Sequence, residues 1–378
     1  MKASAVLGTV LTAALARVSV AGSGKLSTWV KPGSGGPMGD DATQALAWVR
    51  QHKAQIGSLS IYGIGPPGPS NITGPRFNAE LKAMGIDTYV LWGGQWSSFS
   101  TPAAIRGSVS MVLGMVQGGG FTGVDLDFEH PQTWGPDFRD PMNATFKAEL
   151  TSKYSDFLRA LSSALHAKGL KMSECVGSYP TVDGGISVYY DPAVVAETND
   201  LVRVMNYDMY YVGGRGVPAI ASRPDCEGMG PTSTAPWAKF SMQWWLERVP
   251  AHKLVMGIPA YSNDYSALPG HGGGNGHQAG VGPPASTEPM CGGNGTHAAA
   301  NGSDCSAIET IWEYFDQINN YMYTDASGSP RIRYGTEVKS TRAHLRTATT
   351  LALTQVGFWT LNSANSAMVA SVLEWAGE

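Results

Sequence analysis

Phe121-Thr122-Gly123-Val124-Asp125-Leu126-Asp127-Phe128-Glu129 is the stretch of this chain whose pattern decides its fold. Apolar and acidic residues alternate through it. Successive side chains of a strand point to opposite faces, so Asp125, Asp127 and Glu129 share one face while Val124, Leu126 and Phe128 share the other. Acids on alternate residues stand roughly 6.6 Å apart at the backbone, close enough for their charges to interact strongly in a partly desolvated site. At least one is expected to keep its proton to higher pH than a free acid. Two other readings fit the alternation: a solvated acidic face on the edge of an antiparallel hairpin, and a magnesium site built from two Asp and one Glu.

On either side of this stretch, apolar runs end in polar or Gly-rich turns and alternate with amphipathic segments, the pattern of a parallel sheet with crossover helices. The expected strands lie near Ser27 to Val30, Ser58 to Tyr62, Thr88 to Trp92, Gly123 to Glu129, Leu170 to Val176, Val202 to Tyr207, Leu254 to Ile258 and Val356 to Leu361. The clearest helix carries Phe146, Leu150, Tyr154, Phe157, Leu158, Leu161 and Leu165 at spacings of three and four, and stops at Gly169. Eight strands alternating with helices predict an α/β fold, a (β/α)8 TIM barrel, whose active sites gather at the C-terminal ends of the strands. An open doubly wound sheet is the second choice, but no G-x-G-x-x-G follows the first strand. In a barrel the apolar face of the acidic strand packs under helices, so the acids point into the barrel or its mouth.

Residues 266–306 are rich in Gly, Pro, Asn and His and read as a long Gly-rich loop between strands seven and eight. His271, His277 and His297 lie there at irregular spacing and read as exposed loop residues, not as a metal site. The 378 residues fit one barrel-sized domain, with 43% hydrophobic residues, ten Phe, fifteen Tyr and eleven Trp to fill a core and leave aromatic surface over. A formal charge of -4, without a long run of like charge, argues against nucleic acid or an anionic membrane as partner.

Lys2, the apolar run Ala5 to Ala16 and the small residues Ser19 and Ala21 form the pattern of a secretory signal over residues 1–21, leaving 22–378 as a single domain. A buried first helix is the competing reading of that run. No later stretch is apolar for long enough to span a bilayer, so a soluble product is expected. Cys175, Cys226, Cys291 and Cys305 form an even set that favours two disulfides, Cys291 with Cys305 across a short loop and Cys175 with Cys226 between strand ends. No C-x-x-C with a matching His pair points to zinc. Sequons at Asn71, Asn143, Asn294 and Asn301 fit a glycosylated exported protein, extracellular or lysosomal.

A carboxylic acid of raised pKa beside an ionised partner is what a glycosidase needs to protonate a leaving oxygen. Glu129, outermost of the three and longest in reach, takes the donor role on this reading.

With these residues in place the chain resembles glycoside hydrolase family 18, the chitinase family, whose fourth barrel strand carries D-x-x-D-x-D-x-E. Asp125, Asp127 and Glu129 match the last three acids, and Thr122 replaces the first. Val204-Met205-Asn206-Tyr207-Asp208 resembles the family's M-x-Y-D, and Gly357-Phe358-Trp359 its closing-strand segment. Lys253 to Tyr261, followed by Asp264-Tyr265, resembles strand seven of the di-N-acetylchitobiase branch. The resemblance implies a retaining, substrate-assisted hydrolysis of β-1,4 N-acetylglucosamine linkages in chitobiose-like oligosaccharides or chitin, by a monomer needing no cofactor or metal.

It further implies that Glu129 is proton donor, that Asp127 orients the acetamido group and that Asp125 holds Asp127. Tyr207 would donate its hydroxyl to the acetamido group, Asp208 and Met205 would bind the sugar, and Trp359 would floor its subsite. Glu174 is a secondary candidate for a subsite contact, and Trp92 and Trp96 either extend the cleft or pack the rim. A chitinase-like carbohydrate-binding lectin is the rival from another class, and a metalloenzyme using the same acids a third.

Overall fold

The computed structural model describes residues 24–32, 36–39, 41–62, 74–129, 144–178, 189–208, 232–261, 263–266, 309–313, 318–324, 330–335 and 337–377. Seven strands, β1 (Lys25–Val30), β2 (Ile56–Ile61), β3 (Asp87–Trp92), β4 (Gly123–Leu126), β5 (Lys171–Gly177), β6 (Leu201–Met205) and β7 (Leu254–Pro259), join a last one, β12 (Gln355–Trp359), in a closed barrel ordered β1-β12-β7-β6-β5-β4-β3-β2. Every neighbouring pair is parallel. Helices α1 (Ala42–His52), α2 (Pro75–Ala83), α3 (Pro102–Gly119), α4 (Ala144–His166), α5 (Pro192–Thr198), α6 (Ala235–Leu246), α7 (Val338–Thr350) and α8 (Ser366–Gly377) fall between and after them. This is the (β/α)8 barrel expected from the alternating pattern.

Local sequence explains the elements. Thr101 accepts a hydrogen bond from the Ala104 N–H at 3.1 Å and Pro102 follows it, so α3 starts with a capped N-terminus and a ring already fixed at helical φ. The apolar stripe of α4 buries Leu150, Tyr154, Phe157, Leu158, Leu161 and Leu165. Beyond its end Gly169 adopts φ +66°, while the Leu170 N–H donates to the Leu165 carbonyl, a turn that a side chain at 169 would strain. Val124, Leu126 and Phe128 join α4 in the outer core, and the Phe128 ring lies 5.7 Å from that of Phe157. The period-two pattern therefore places the apolar side of the acidic strand under the helices.

Three details differ from the sequence reading. β4 ends at Leu126, and Asp127 to Glu129 continue beyond it, with the Asp127 N–H still bonded to the Trp92 carbonyl at 3.0 Å. Asp264 and Tyr265 do not extend strand seven: they belong to β8 (Asn263–Ser266), which pairs with β11 (Pro330–Gly335). With β9 (Glu309–Glu313) and β10 (Ile318–Thr324) these form a four-stranded antiparallel sheet, ordered β8-β11-β10-β9, inserted between the last two barrel strands.

Cys175 is free and buried, so it is not the strand-end tie expected of it; the inward parity of β5 carries its thiol into the barrel. Cys226, Cys291, Cys305, the three loop histidines, the four sequons and residues 1–21 lie outside the described residues. Among the described residues no helix is long and apolar enough to cross a membrane.

Candidate active site

β4 lies between β3 and β5, with Asp125 in register with Leu91 on one side and Ser173 on the other. An exposed edge is thereby excluded, and the acids of this strand face the barrel axis. Asp125 is fully buried. Its Oδ2 accepts from the Ser60 hydroxyl at 2.5 Å and from the Cys175 thiol at 3.5 Å, and lies 3.3 Å from Nε of Arg203, which is also fully buried. Two buried charges survive desolvation only when paired and hydrogen-bonded, and Arg203 meets that condition. It donates to Ser173 Oγ at 3.0 Å, to the Ser27 carbonyl at 3.0 Å and to Ser58 Oγ at 2.8 Å.

Asp127 stands one step nearer the barrel mouth and is hydrogen-bonded to Glu129. Its carboxyl is pushed well above the usual carboxylate range, chiefly by burial, then by the neighbouring Glu129 and Asp125. Asp127 Oδ1 is buried with no partner among the described residues. Glu129 is half-buried beyond the end of β4, where the ladder no longer fixes its backbone.

Aromatic side chains form the opposite wall. β6 ends at Met205, 7% exposed, which joins Trp29, Cys175, Tyr207 and Tyr261 in an inner cluster against Trp359. The Tyr207 ring stacks on Trp359 with centroids 6.4 Å apart and planes at 25°. Burial pushes the Tyr207 phenol well up, so it stays a neutral donor, and its hydroxyl has no partner among the described residues. Trp359, half-buried at the end of β12, also meets Trp29 and Tyr62 edge-on.

Asp208 is exposed, with φ +58°. Its backbone N–H donates to Thr232 Oγ1 at 3.2 Å, and its carboxylate accepts from the Tyr261 hydroxyl.

The structure thus brings together all seven residues singled out from the sequence. Glu174 is not among them: it faces the outer layer, where it accepts from the Tyr154 hydroxyl at 2.8 Å and from Asn199 Nδ2 at 3.0 Å. Its parity is that of Met172 and Val176, both in the outer core. Trp92 packs on Phe128 and Phe157, and Trp96 on Phe99 and Phe146, so both belong to the packing of the rim. Arg203, Ser60 and Tyr261 were not expected as site residues. For Arg203 a signal existed, because a residue between Val202 and Val204 on a strand with an apolar outer face must point inward. Among the described residues no group of three or more His, Cys, Asp or Glu is arranged to hold a metal ion.

A parallel eight-stranded barrel with carboxyl groups and an aromatic floor at the C-terminal ends of its strands defines a class of barrels whose function is carried by that mouth. Residues 90–364 match the sequence profile of Glycosyl hydrolases family 18, and the chain belongs to that family. Probable chitinase 10 of Drosophila melanogaster is 27% identical over 200 residues, covering 50% of this chain and 8% of that protein. Oviduct-specific glycoprotein of Bos taurus is 27% identical over 230 residues, covering 56% of this chain and 39% of that protein. The matched region therefore spans well under half of either relative. A chitinase from Chromobacterium violaceum has the same fold, with a TM-score of 0.63 at 19% identity, covering 94% of this chain and 99% of that one.

Proposed function

We propose that this chain is a retaining glycosidase that cleaves β-1,4 N-acetylglucosamine linkages in chitobiose-like oligosaccharides or chitin. The observation that carries this reading is the Asp127–Glu129 carboxyl pair, bonded to each other and near enough to Tyr207 to act on its phenol, whose buried hydroxyl lacks a partner among the described residues. A pair that shares one proton can place it on either carboxyl. With the proton on Glu129, Asp127 is the anion.

In this mechanism the acetamido carbonyl oxygen of the substrate attacks its own anomeric carbon. The bond from that carbon to the glycosidic oxygen breaks as Glu129 gives that oxygen its proton. Asp127 accepts the acetamido N–H and offsets the positive charge of the oxazolinium, while the Tyr207 hydroxyl donates to the acetamido oxygen. Water then adds at the anomeric carbon from the face the leaving group vacated, and Glu129 takes its proton. Configuration is retained, and no cofactor is required. Trp359 floors the sugar, Met205 lines the subsite, and Asp208, held by Tyr261, binds polar groups of the sugar.

The purified protein should hydrolyse a fluorogenic chitobioside, with the products from free chitobiose and chitotriose separating exo from endo action. Glu129→Gln should bind oligosaccharide without turning it over. Turnover by Glu129→Gln equal to that of the parent refutes the donor assignment, and retained oligosaccharide binding with no turnover by either protein makes the chain a lectin. Residues 1–21 and 22–378 are further proposed as an export signal and a single monomeric catalytic domain, the enzyme acting outside the cell or in a lysosome. That part of the reading, like its placement in the di-N-acetylchitobiase branch, rests on sequence pattern.

A further inference from the structure

We propose that Arg203 is a positioning residue for the reaction: it fixes a negative charge on Asp125 and so confines the working proton to the Asp127–Glu129 pair. This rests on the glycosidase reading for its catalytic consequence, although the charge assignment can be measured without substrate.

The geometry is that of a buried counter-charge. Arg203 enters the barrel from β6 and its guanidinium touches Ser27 of β1, Ser58 of β2, Asp125 of β4 and Ser173 of β5. Its charge also lies 5.6 Å from the Trp29 ring centroid and 5.4 Å from that of Tyr89. A guanidinium does not release its proton in a protein, so this charge is permanent. Trp29 in turn meets Tyr207 and Trp359 edge-on, but of these neighbours Asp125 is the one that carries a charge. Arg203 therefore acts on the reaction through Asp125.

Two donors, the Ser60 hydroxyl and the Cys175 thiol, converge on Oδ2 of Asp125, and the Arg203 Nε stands 3.3 Å from the same oxygen as its ion-pair partner. A permanent, fully buried cation in contact with an acid is balanced by the carboxylate form of that acid. The other titratable groups around Asp125 bring no compensating positive charge. Tyr89 on β3 and Cys175 on β5 are held neutral by burial, as is Tyr207 at the end of β6. Glu174 on β5 is turned to the outer layer, and Asp127 and Glu129 are acids of the same segment. Arg203 is the one cation in ion-pair contact with Asp125 among the described residues.

The consequence is a count of protons. With Asp125 neutralised by Arg203, the remaining two carboxyls need only one proton between them, and the nearby Asp125 charge favours its retention there. Without the guanidinium, the trio of acids would draw that proton, or a second one, toward Asp125. Glu129 would then be supplied less reliably.

The test follows Asp125 and Asp127 by carboxyl 13C NMR in protein labelled at aspartate, with assignments from Asp125→Asn and Asp127→Asn. In the parent near neutral pH the Asp125 signal should stand at a carboxylate shift, with the proton held within the Asp127–Glu129 pair. In Arg203→Met the Asp125 signal should move toward the carboxylic-acid shift at the same pH, and Arg203→Lys should restore most of the parent position. Kinetically, Arg203→Met should lower kcat by about 10- to 100-fold with KM little changed and displace the pH profile, with partial rescue in Arg203→Lys.

A protonated Asp125 beside an ionised Asp127 in the parent overturns the proposal, as does an Asp125 signal indifferent to Arg203→Met in a folded variant. If Arg203→Met does not fold, the parent spectrum and Arg203→Lys still decide. An ionised Asp125 in a parent with no turnover retires the glycosidase reading and leaves the charge assignment standing.

Discussion

The Thr122 side chain closes on the backbone of Thr88, its hydroxyl donating to the Thr88 carbonyl at 2.7 Å and accepting from the Thr88 N–H at 2.6 Å. Thr122 occupies the position where the family pattern has its first acid, and here it ties the start of β4 to β3. Thr122→Val leaves the Thr88 N–H without that acceptor and should cost about 1–3 kcal/mol in denaturant unfolding, with kcat retained. Thr122→Ser should recover most of the loss. A large fall in kcat with unchanged stability would place Thr122 in the chemistry instead.

Removing the Tyr207 hydroxyl separates function from stability. Because that hydroxyl is buried without a partner among the described residues, Tyr207→Phe should leave Tm unchanged or raise it. Under the proposed mechanism kcat/KM should fall by about 10²-fold or more through loss of the acetamido contact. A thermal melt beside a chitobioside assay is sufficient, and full activity in the variant removes Tyr207 from the mechanism.

Two buried groups give stability opposing dependences on pH. Burial raises Glu174 to about 7 from 4.5, against the lowering effect of its bonds from Tyr154 and Asn199. The folded protein thus keeps a proton the unfolded chain releases, and stability falls as pH rises from 4.5 through 7. Burial lowers His344 to about 4 from 6.5, so the folded protein refuses a proton the unfolded chain takes up, and stability falls as pH drops from 6.5 through 4. Its Nδ1 lies 2.9 Å from the Ser340 carbonyl and must carry the hydrogen there, leaving Nε2 to accept from Ser233 at 3.0 Å.

Across the shared window the two slopes cancel. Relative to the parent, Glu174→Gln should therefore gain stability as pH rises and His344→Gln should lose it, each by up to about 3 kcal/mol in unfolding experiments at fixed pH. Parallel curves for parent and both variants would contradict these assignments.

Glycines divide by what surrounds them. A Cβ on Gly123 would lie 2.3 Å from the Lys171 carbonyl oxygen and 2.9 Å from Tyr89 Cε1, so Gly123→Ala should destabilise by about 1–3 kcal/mol and disturb the acidic strand. Gly107 and Gly114 of α3 have open space at the same position, and Ala there should stabilise by about 0.5–1 kcal/mol each. Urea denaturation of the single variants checks both signs.

The sequence by itself determined the barrel and the acidic line. Strand and helix faces follow from periods of two and of three to four residues, which neighbouring residues carry among themselves, and Asp125, Asp127 and Glu129 were legible for that reason. The same parity would have exposed Arg203 and turned Glu174 outward, had it been applied to β6 and β5.

What only the tertiary structure decided is which distant residues meet. Arg203 reaches Ser58 and Ser27 across separations of 145 and 176 residues, and Tyr261 reaches Asp208 across 53, because barrel closure and register set these meetings and no local pattern encodes them. The small sheet of β8 to β11 escaped the sequence for a related reason: it lies beside a Gly-rich segment whose composition reads as loop, and its ladder pairs Asp264 with Arg333. The end of β4 at Leu126 is also a tertiary fact. It frees Glu129 from the ladder at the point where the site needs a side chain that can reach.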